Sequence, residues 1–318
     1  MATVYVSRRL PDPVMAELAR RFTLVGQPRD RPATREELLE ATSQADALAV
    51  TLTERVDAEV LAKAPRLKVV AVYAVGYDNV DIAAATRRGI VVTNTPDVLT
   101  ETTADLAWAL ILAVMRRIPE ADRLVRDGRW EGWAPTQLLG ADVYGKTLGI
   151  IGMGRIGRAV ARRAEGFGMS VLYHTRHPLQ HEEEMKLHAT HLPLPQVLQA
   201  ADIVTIHTPL TDSTQGLIGK AELAMMRRSA YLINTARGAV VDEAALAEAL
   251  EQGRLAGAGL DVYQHEPRIH PRLLALPNTV LLPHIGSATT GTRVKMGLMV
   301  ADNITAALEG REAIHRVN

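Results

Sequence analysis

Three side chains of this sequence, each placed after a short apolar run, offer the chemistry of acid binding and proton transfer. They are Arg237, Glu266 and His284. A guanidinium holds a carboxylate through two parallel hydrogen bonds, and a histidine paired with a carboxylate donates a proton near neutral pH. A surface arginine and a structural histidine are the ordinary alternatives. The occurrence of all three groups after predicted strands favours a site that binds an acid and moves a proton.

A glycine-rich turn between a predicted strand and a predicted helix offers a place for a dinucleotide. Residues 147–157 read TLGIIGMGRIG, which contains G-x-G-x-x-G. The first glycine allows the tight turn, the second lets the backbone approach a pyrophosphate, and the third lets helix and strand pack closely. The motif alone is common in loops, but the flanking elements favour dinucleotide binding at the helix N-terminus. The cofactor contacts predicted here are Gly152, Met153, Gly154, Arg155, Ile156 and Gly157.

The end of the following strand indicates which dinucleotide is preferred. In NAD-binding proteins an acid about 20 residues beyond the glycines holds the ribose 2′-OH. Here residues 173–178 read YHTRHP and contain no carboxylate. Arg176 would attract the 2′-phosphate of NADP, and Thr175 and His174 can add hydrogen bonds. The alternative is a solvated Arg176 and a protein that accepts either cofactor. We therefore predict NADP as the preferred cofactor, with NAD also possible.

Composition excludes several classes of partner. Lys plus Arg equals Asp plus Glu, 36 each, so no net charge attracts nucleic acid or an anionic membrane. There are no cysteines, and the four histidines between residues 177 and 191 fit no compact metal-ligand spacing. No signal peptide and no apolar run of about 18 residues is found. We expect a cytoplasmic protein with no metal, nucleic acid or membrane partner.

The order of predicted elements indicates how the sites are positioned. Strands and helices alternate through most of the 318 residues, which is typical of parallel sheets covered by helices. The polar residues after the strands then meet at one carboxyl edge. The predicted fold class is α/β, with two Rossmann-like domains. A dinucleotide-binding domain, residues 99–286, is inserted into a discontinuous flavodoxin-like substrate domain, residues 1–98 and 287–318.

Two segments interrupt this alternation. Residues 102 to about 125 predict one long helix, which Pro119 should kink or interrupt. Because this helix is apolar nearly all round, we expect it to be buried between domains or subunits. Residues 177–192 are polar and rich in histidine, and they predict a surface segment.

The chain resembles the D-isomer-specific 2-hydroxyacid dehydrogenases over essentially its whole length. Within that family it is most similar to the glyoxylate/hydroxypyruvate reductases, through LTETTADLAWALIL and GRWEGWAP. The resemblance implies an enzyme that reduces a small 2-oxo acid to the (D)-2-hydroxy acid and forms homodimers through its cofactor domains. The matching blocks are AVGYDNVD (74–81), GKTLGIIGMGRIG (145–157), HTPLTDST (207–214), INTARGAVVDEAAL (233–246), AGLDVYQHEP (258–267) and LLPHIGSAT (281–289).

The resemblance also implies roles for particular residues. Arg237, Glu266 and His284 match the catalytic trio, and the backbone N–H groups of Val75 and Gly76 match the loop that holds the substrate carboxylate. A tryptophan from the partner subunit borders the substrate pocket in the reductases. Trp133 is the first candidate and Trp130 the second, with packing of their own loop as the alternative. The implied cofactor contacts, some shared with the substrate site, are Thr103, His207, Thr208, Pro209, Thr214, Thr235, Ala236, Asp261, His284 and Gly286.

Other functions with the same fold stay open. A D-lactate or phosphoglycerate type of dehydrogenase is one alternative, although phosphoglycerate dehydrogenases usually carry an acid after the second strand. Formate dehydrogenases carry a glutamine at the position of Glu266. Dinucleotide-sensing corepressors retain the catalytic residues as well, but they prefer NAD. The sequence does not fix the substrate among glyoxylate, hydroxypyruvate and larger 2-oxo acids, the direction of flux or assembly beyond a dimer.

Overall fold

The computed structural model describes residues 1–26 and 29–318, and it divides the chain into two compact units. Unit 1 comprises Met1–Leu99 and Ser287–Asn318, and unit 2 comprises Thr100–Gly286. Each unit contains one parallel sheet with helices around it, which confirms the predicted α/β class. Within the described residues, no helix has the length and apolar character needed to cross a membrane.

Unit 1 is built on a five-stranded parallel sheet in the order β2-β1-β3-β4-β5, the flavodoxin-like order. Its core lies on the faces of the central strands, where Leu48 and Val70 are fully buried. Its strands are β1 (Thr3–Val6), β2 (Thr23–Val25), β3 (Ala47–Val50), β4 (Val69–Val72) and β5 (Val91–Thr93). Its helices are α1 (Asp12–Arg21), α2 (Arg35–Gln44), α3 (Ala58–Ala62), α4 (Ile82–Arg87) and, after unit 2, α13 (Thr290–Leu308).

Local sequence signals set the helix starts in unit 1. The Thr34 hydroxyl accepts a hydrogen bond from the N–H of Glu37 at 3.2 Å, and the Glu37 carboxylate accepts one from the N–H of Thr34 at 2.9 Å. This reciprocal capping box satisfies two N–H groups that a helix leaves without partners. The Thr289 side chain caps α13 in a similar way.

Unit 2 is built on a seven-stranded parallel sheet in the order β12-β11-β10-β9-β6-β7-β8. Its strands are β6 (Thr147–Ile151), β7 (Ser170–His174), β8 (Ala189–His191), β9 (Ile203–Ile206), β10 (Tyr231–Asn234), β11 (Gly257–Leu260) and β12 (Thr279–Leu281). Its helices are α5 (Thr100–Met115), α6 (Ile118–Arg126), α7 (Arg155–Ala164), α8 (His181–Leu187), α9 (Leu194–Ala200), α10 (Lys220–Met225), α11 (Glu243–Glu251) and α12 (Pro271–Ala275). Strand order reverses between β6 and β9, and ligands of open α/β sheets bind beside such a reversal.

The predicted long helix is two helices. The chain breaks at Arg117, whose φ is 52°, and Pro119 lies in the first turn of α6, where its missing N–H costs nothing. The sequence predicts that this helix is buried between domains or subunits. In the structure α5 packs into the core of unit 2. Trp108 donates a hydrogen bond to the Val160 carbonyl oxygen at 3.1 Å and stacks on Phe167 with ring centroids 4.5 Å apart.

Residues 177–192, predicted to be a polar surface segment, are exposed at most positions. The segment contains α8 and the edge strand β8, which pairs with β7 through Ala189, Thr190 and His191. A strand of three residues is too short to show an alternating pattern of polar and apolar residues. For this reason β8, which lies among polar residues, is not recognisable from the sequence. The Tyr173 hydroxyl fixes this region, since it donates to Glu184 at 2.7 Å and accepts from the Leu179 N–H at 2.8 Å.

Candidate active site

A histidine–carboxylate pair lies beyond the carboxyl ends of β11 and β12. His284 Nδ1 lies 2.9 Å from Glu266 Oε2, and the other Glu266 oxygen accepts the N–H of Tyr263 at 3.1 Å. The side chains are 31% and 37% exposed, respectively. Because a carboxylate accepts hydrogen bonds, Nδ1 carries the proton in this pair, which leaves Nε2 for proton exchange with another group.

Several charges and donors stabilise the ionised form of Glu266. Partial burial opposes ionisation of this carboxyl, but the hydrogen bond from His284, its charge, the N–H of Tyr263 and the charge of Arg237 outweigh burial and lower its pKa. Glu266 is therefore ionised at neutral pH. It can orient the imidazole of His284 and stabilise its positive charge.

The turn that carries His284 is held by a buried carboxylate. Asp261 is 1% exposed, and its two oxygens accept the N–H groups of Ile285 at 2.7 Å and Gly286 at 2.8 Å. Its carbonyl oxygen accepts the N–H of His284 at 2.9 Å. His284 itself has a φ of 57°, an uncommon conformation for a residue with a side chain. Burial raises the pKa of Asp261, whereas the two N–H groups and His284 act in the opposite direction.

Arg237 follows β10 and lies beside the segment that carries Glu266. The Asn234 side chain donates to the Arg237 carbonyl oxygen at 2.9 Å and accepts the N–H of Ala236 at 3.0 Å, which shapes this turn. The next residue, Gly238, has no room for a side chain, since an added Cβ would lie 1.8 Å from the carbonyl carbon of Tyr263. The glycine therefore lets the Arg237 turn lie directly against the 263–266 segment.

The glycine loop after β6 fits a dinucleotide. Gly152 turns with a φ of 95°, and an added Cβ there would lie 2.7 Å from the backbone of His207 and Thr208 at the end of β9. An added Cβ on Gly157 would lie 2.2 Å from the Gly152 carbonyl oxygen, whereas Gly154 has open space around it. Helix α7 starts after Gly154 with no side-chain cap, an arrangement typical of helix N-termini that bind a phosphate.

The other predicted cofactor contacts lie on the same edge of the sheet, with different local roles. Thr235 is 8% exposed, and its hydroxyl has no hydrogen-bond partner among the described residues. Thr214 donates to the Pro209 carbonyl oxygen at 2.6 Å, so its hydroxyl closes its own loop. The Met153 side chain is 3% exposed and belongs to the core, which leaves only its backbone for a ligand.

His207 is a neutral histidine beside the glycine loop. Burial lowers its pKa to about 3. Its Nε2 lies 2.9 Å from the Thr205 hydroxyl, and its Nδ1 has no hydrogen-bond partner among the described residues. The adjacent Thr208 is partly exposed.

The segment after β7 presents Arg176 on the surface, while its neighbours are tied to the β8 region. Thr175 offers its carbonyl oxygen to His191 Nε2 at 3.3 Å, and His174 Nδ1 lies 3.2 Å from the Leu192 carbonyl oxygen. The rings of His174 and His191 stack with centroids 6.1 Å apart. β8 thus shapes the segment that carries Arg176.

The remaining predicted site residues lie in several places. Val75 and Gly76 belong to unit 1, in the turn after β4, and both are partly exposed. Thr103 is buried near the start of α5, 3.5 Å from the position of an added Cβ on Gly286. Trp130 and Trp133 are 54% and 83% exposed.

The sequence analysis did not identify Asn234 as a site residue, although an asparagine at the end of a strand is a signal for a side chain that shapes a turn.

Comparison with known proteins places this site in a family. Residues 108–286 match the model of the D-isomer specific 2-hydroxyacid dehydrogenase NAD binding domain. The chain is 51% identical over 311 residues to the glyoxylate reductase of Thermococcus gammatolerans, covering 96% of this chain and 93% of that protein. It is 49% identical over 319 residues to the glyoxylate reductase of Korarchaeum cryptofilum, covering 99% and 95%.

Solved structures agree with these relatives. A protein of Thermus thermophilus superposes with a TM-score of 0.93 at 48% identity, over 99% of this chain and 100% of that one. The NADPH-dependent glyoxylate/hydroxypyruvate reductase of Sinorhizobium meliloti, solved with NADP and malonate, has a TM-score of 0.88 at 39% identity over 99% and 96%. The chain therefore belongs to the D-isomer-specific 2-hydroxyacid dehydrogenase family and is an oxidoreductase that uses a nicotinamide dinucleotide.

Proposed function

We propose that the protein reduces glyoxylate or hydroxypyruvate to the corresponding 2-hydroxy acid, with NADPH as the preferred reductant and with D configuration where the product is chiral. The observation that carries this proposal is the 2.9 Å contact between His284 Nδ1 and Glu266. A carbonyl reductase needs a proton donor beside its hydride donor, and this pair supplies one in the unit that carries the glycine loop. Relatives described as glyoxylate reductases at about half identity support the choice of substrate.

Each residue of the trio has a separate task in the proposed reaction. Bound NADPH supplies a hydride to the C2 carbonyl carbon of the 2-oxo acid. His284 donates the Nε2 proton to the carbonyl oxygen as negative charge develops there, and Glu266 stabilises the charged imidazole. Arg237 binds the substrate carboxylate and polarises the same carbonyl oxygen. Hydride and proton together complete the alcohol, and His284 regains its proton from solvent.

The turn after β4 supplies further donors for the substrate carboxylate. Within the described chain, neither the N–H of Val75 nor that of Gly76 donates a hydrogen bond. Backbone N–H groups with no acceptor of their own can donate hydrogen bonds to an anion. We assign these two N–H groups to the carboxylate of the 2-oxo acid.

We assign the preference for NADPH over NADH to the residues at and after the end of β7. Arg176 is exposed there, and none of residues 173–178 is acidic. The NADPH-dependent relative from Sinorhizobium meliloti supports this choice. Replacement of Arg176 by Ala should reduce kcat/KM for NADPH about 10- to 100-fold, the value of one charge-assisted contact, and leave kcat/KM for NADH nearly unchanged. An equal loss with both cofactors would contradict this role.

A homodimer is assigned from an exposed apolar surface on unit 2, defined by six residues. Their exposed fractions range from 50% for Ile118 to 83% for Trp133, and the six residues are Ile118, Val125, Trp130, Trp133, Leu139 and Tyr144. Several large apolar side chains exposed within one stretch, here residues 118–144, are typical of an interface between subunits. We assign a second copy of the chain to this surface, with Trp133 beside the pocket of the partner subunit. The test compares Trp133→Ala and Trp130→Ala by analytical ultracentrifugation, which reports the dimer, and by the KM for substrate. A raised KM with an intact dimer indicates a residue that borders the pocket, whereas an unchanged KM indicates a residue that only packs its own loop.

Initial rates at 340 nm test the function. Glyoxylate, hydroxypyruvate and pyruvate are each supplied with NADPH and with NADH, and the product is analysed on a chiral column. We expect glyoxylate or hydroxypyruvate to oxidise NADPH. The product from hydroxypyruvate is expected to have the D configuration. His284→Ala should lose at least about 100-fold in turnover and keep cofactor binding. Activity with pyruvate alone would favour a D-lactate dehydrogenase, and persistent turnover in His284→Ala would refute its role as proton donor. A cytoplasmic location stays a prediction from the sequence.

A further inference from the structure

The two peptide units that present the N–H groups of Val75 and Gly76 are held from behind by the segment after β5. The Ala74 carbonyl oxygen accepts the N–H of Thr95 at 2.8 Å, and the Val75 carbonyl oxygen accepts Asn94 Nδ2 at 2.8 Å. In a trans peptide, the carbonyl of one residue points opposite to the N–H of the next. These two hydrogen bonds therefore set the directions of the Val75 and Gly76 N–H groups.

Asn94 is well fixed for this task. It is 8% exposed, its N–H donates to the His315 carbonyl oxygen at 3.2 Å, and its carbonyl oxygen accepts Asn303 Nδ2 at 3.2 Å. Asn303 lies on α13 and is only 2% exposed. With its backbone held on both sides, the Asn94 side chain keeps its amide on the Val75 carbonyl oxygen.

We propose that Asn94 is a positioning residue that aims and strengthens the Gly76 N–H as a donor to the substrate carboxylate. This inference rests on the proposed function, in which that N–H binds a 2-oxo acid. A donor on the carbonyl oxygen polarises the peptide unit, and polarised peptide groups donate stronger hydrogen bonds from their N–H. Asn94 acts through the Val75–Gly76 peptide and needs no contact with the substrate.

Asn94→Asp tests the proposal with almost no change of shape. The variant replaces the Nδ2 donor by a carboxylate oxygen, which repels the Val75 carbonyl and turns the peptide. KM for glyoxylate should rise about 10- to 100-fold, the range for one hydrogen bond to a charged group, with kcat within about fivefold of wild type. The inhibition constant of oxalate, an unreactive carboxylate, should rise by a similar factor. The dissociation constant of NADPH, measured by fluorescence, should stay within twofold.

A matched control is Asn278→Asp. Asn278 Nδ2 also donates to a backbone carbonyl oxygen, that of Ala256 at 3.3 Å, but in unit 2 between β11 and β12. This variant should leave both the glyoxylate KM and the oxalate inhibition constant near wild type. If Asn94→Asp does not fold, Asn94→Ala removes the amide without adding a charge and is measured in the same way.

The outcomes separate this proposal from the function on which it rests. A wild-type enzyme that oxidises no nicotinamide cofactor with any 2-oxo acid refutes the proposed function before any variant is compared. An active wild type with unchanged glyoxylate KM and oxalate inhibition in Asn94→Asp overturns the positioning role alone. Equal losses of carboxylate and NADPH binding would also overturn it, because they indicate a general effect on folding. A selective loss of carboxylate binding supports it.

Discussion

Replacement of Gly238 by alanine should separate two segments of the site without removing any functional group. An added Cβ would lie 1.8 Å from the Tyr263 carbonyl carbon, 2.1 Å from its oxygen and 2.4 Å from the Gln264 nitrogen. Carbon atoms in contact lie about 3.5–4 Å apart, so the two backbones must move apart by about 1.5 Å or more. Neither neighbour can rotate away, because all three atoms belong to the backbone.

This displacement changes the geometry of the trio. Arg237 precedes Gly238 directly, and Glu266 lies three residues beyond Tyr263, whose N–H it accepts at 3.1 Å. A misplacement of about 1 Å at a catalytic group costs about 100-fold in rate. We therefore expect kcat/KM for glyoxylate to fall at least 100-fold, equivalent to about 2.7 kcal/mol of transition-state stabilisation. Overpacking should also lower the free energy of unfolding by about 1–3 kcal/mol.

Steady-state kinetics at saturating NADPH, with urea unfolding in parallel, measures both effects. Gly166→Ala is the matched control, since an added Cβ there meets nothing within 4 Å and no left-handed φ is involved. Its kcat/KM should remain within about twofold of wild type. If folded Gly238→Ala keeps kcat/KM within threefold of wild type, close packing of these segments does not position Arg237 and Glu266, and the reasoning fails.

Two further predictions concern carboxylates whose pKa values are lowered. Glu266→Gln removes the negative charge beside the imidazole of His284, so turnover at pH 7 should fall at least about 10-fold while the dissociation constant of NADPH stays within twofold. Unchanged turnover would show that Glu266 does not assist His284. Glu54 is 3% exposed, and although burial opposes its ionisation, hydrogen bonds from Ser7, Thr53 and Thr51 lower its pKa. A carboxyl with a lowered folded pKa stabilises the fold above its unfolded value of about 4.3 and loses that contribution as pH falls through the folded value. Glu54→Gln should therefore cost about 2 kcal/mol of unfolding free energy at pH 7 and progressively less below pH 4. Urea unfolding at several pH values measures this difference, and a cost independent of pH would refute the role of charge.

The predictions from sequence succeeded where short-range patterns and general topological rules suffice. Parallel strands place their carboxyl ends on one edge, so polar residues after apolar runs, such as Asp261 and His284, were expected to lie together. The 2.9 Å contact of His284 with Glu266 follows from that rule and from the loop after β11.

What the sequence did not indicate depends on contacts between distant segments. Gly238 meets Tyr263, 25 positions later by their numbers, and Asn94 meets Val75 across two strands of a sheet. No local sequence pattern predicts either contact, because both depend on how two loops that are distant in sequence approach one another. The interruption predicted at Pro119 occurs, but the break itself lies two residues earlier, at Arg117. A proline marks a helix start as readily as an interruption, and the left-handed φ at Arg117 decided between them.

Asp261 shows how geometry adds to a role inferred from resemblance. The resemblance assigns this acid to the cofactor, whereas its two oxygens already accept the N–H groups of Ile285 and Gly286. A carboxylate has about four lone-pair sites, so these two bonds leave acceptor capacity for a further donor. The same side chain can therefore hold the turn that carries His284 and accept a hydrogen bond from a bound nicotinamide amide. Binding of the cofactor by Asp261, which the resemblance implies, would make the placement of both the cofactor and His284 depend on a single turn.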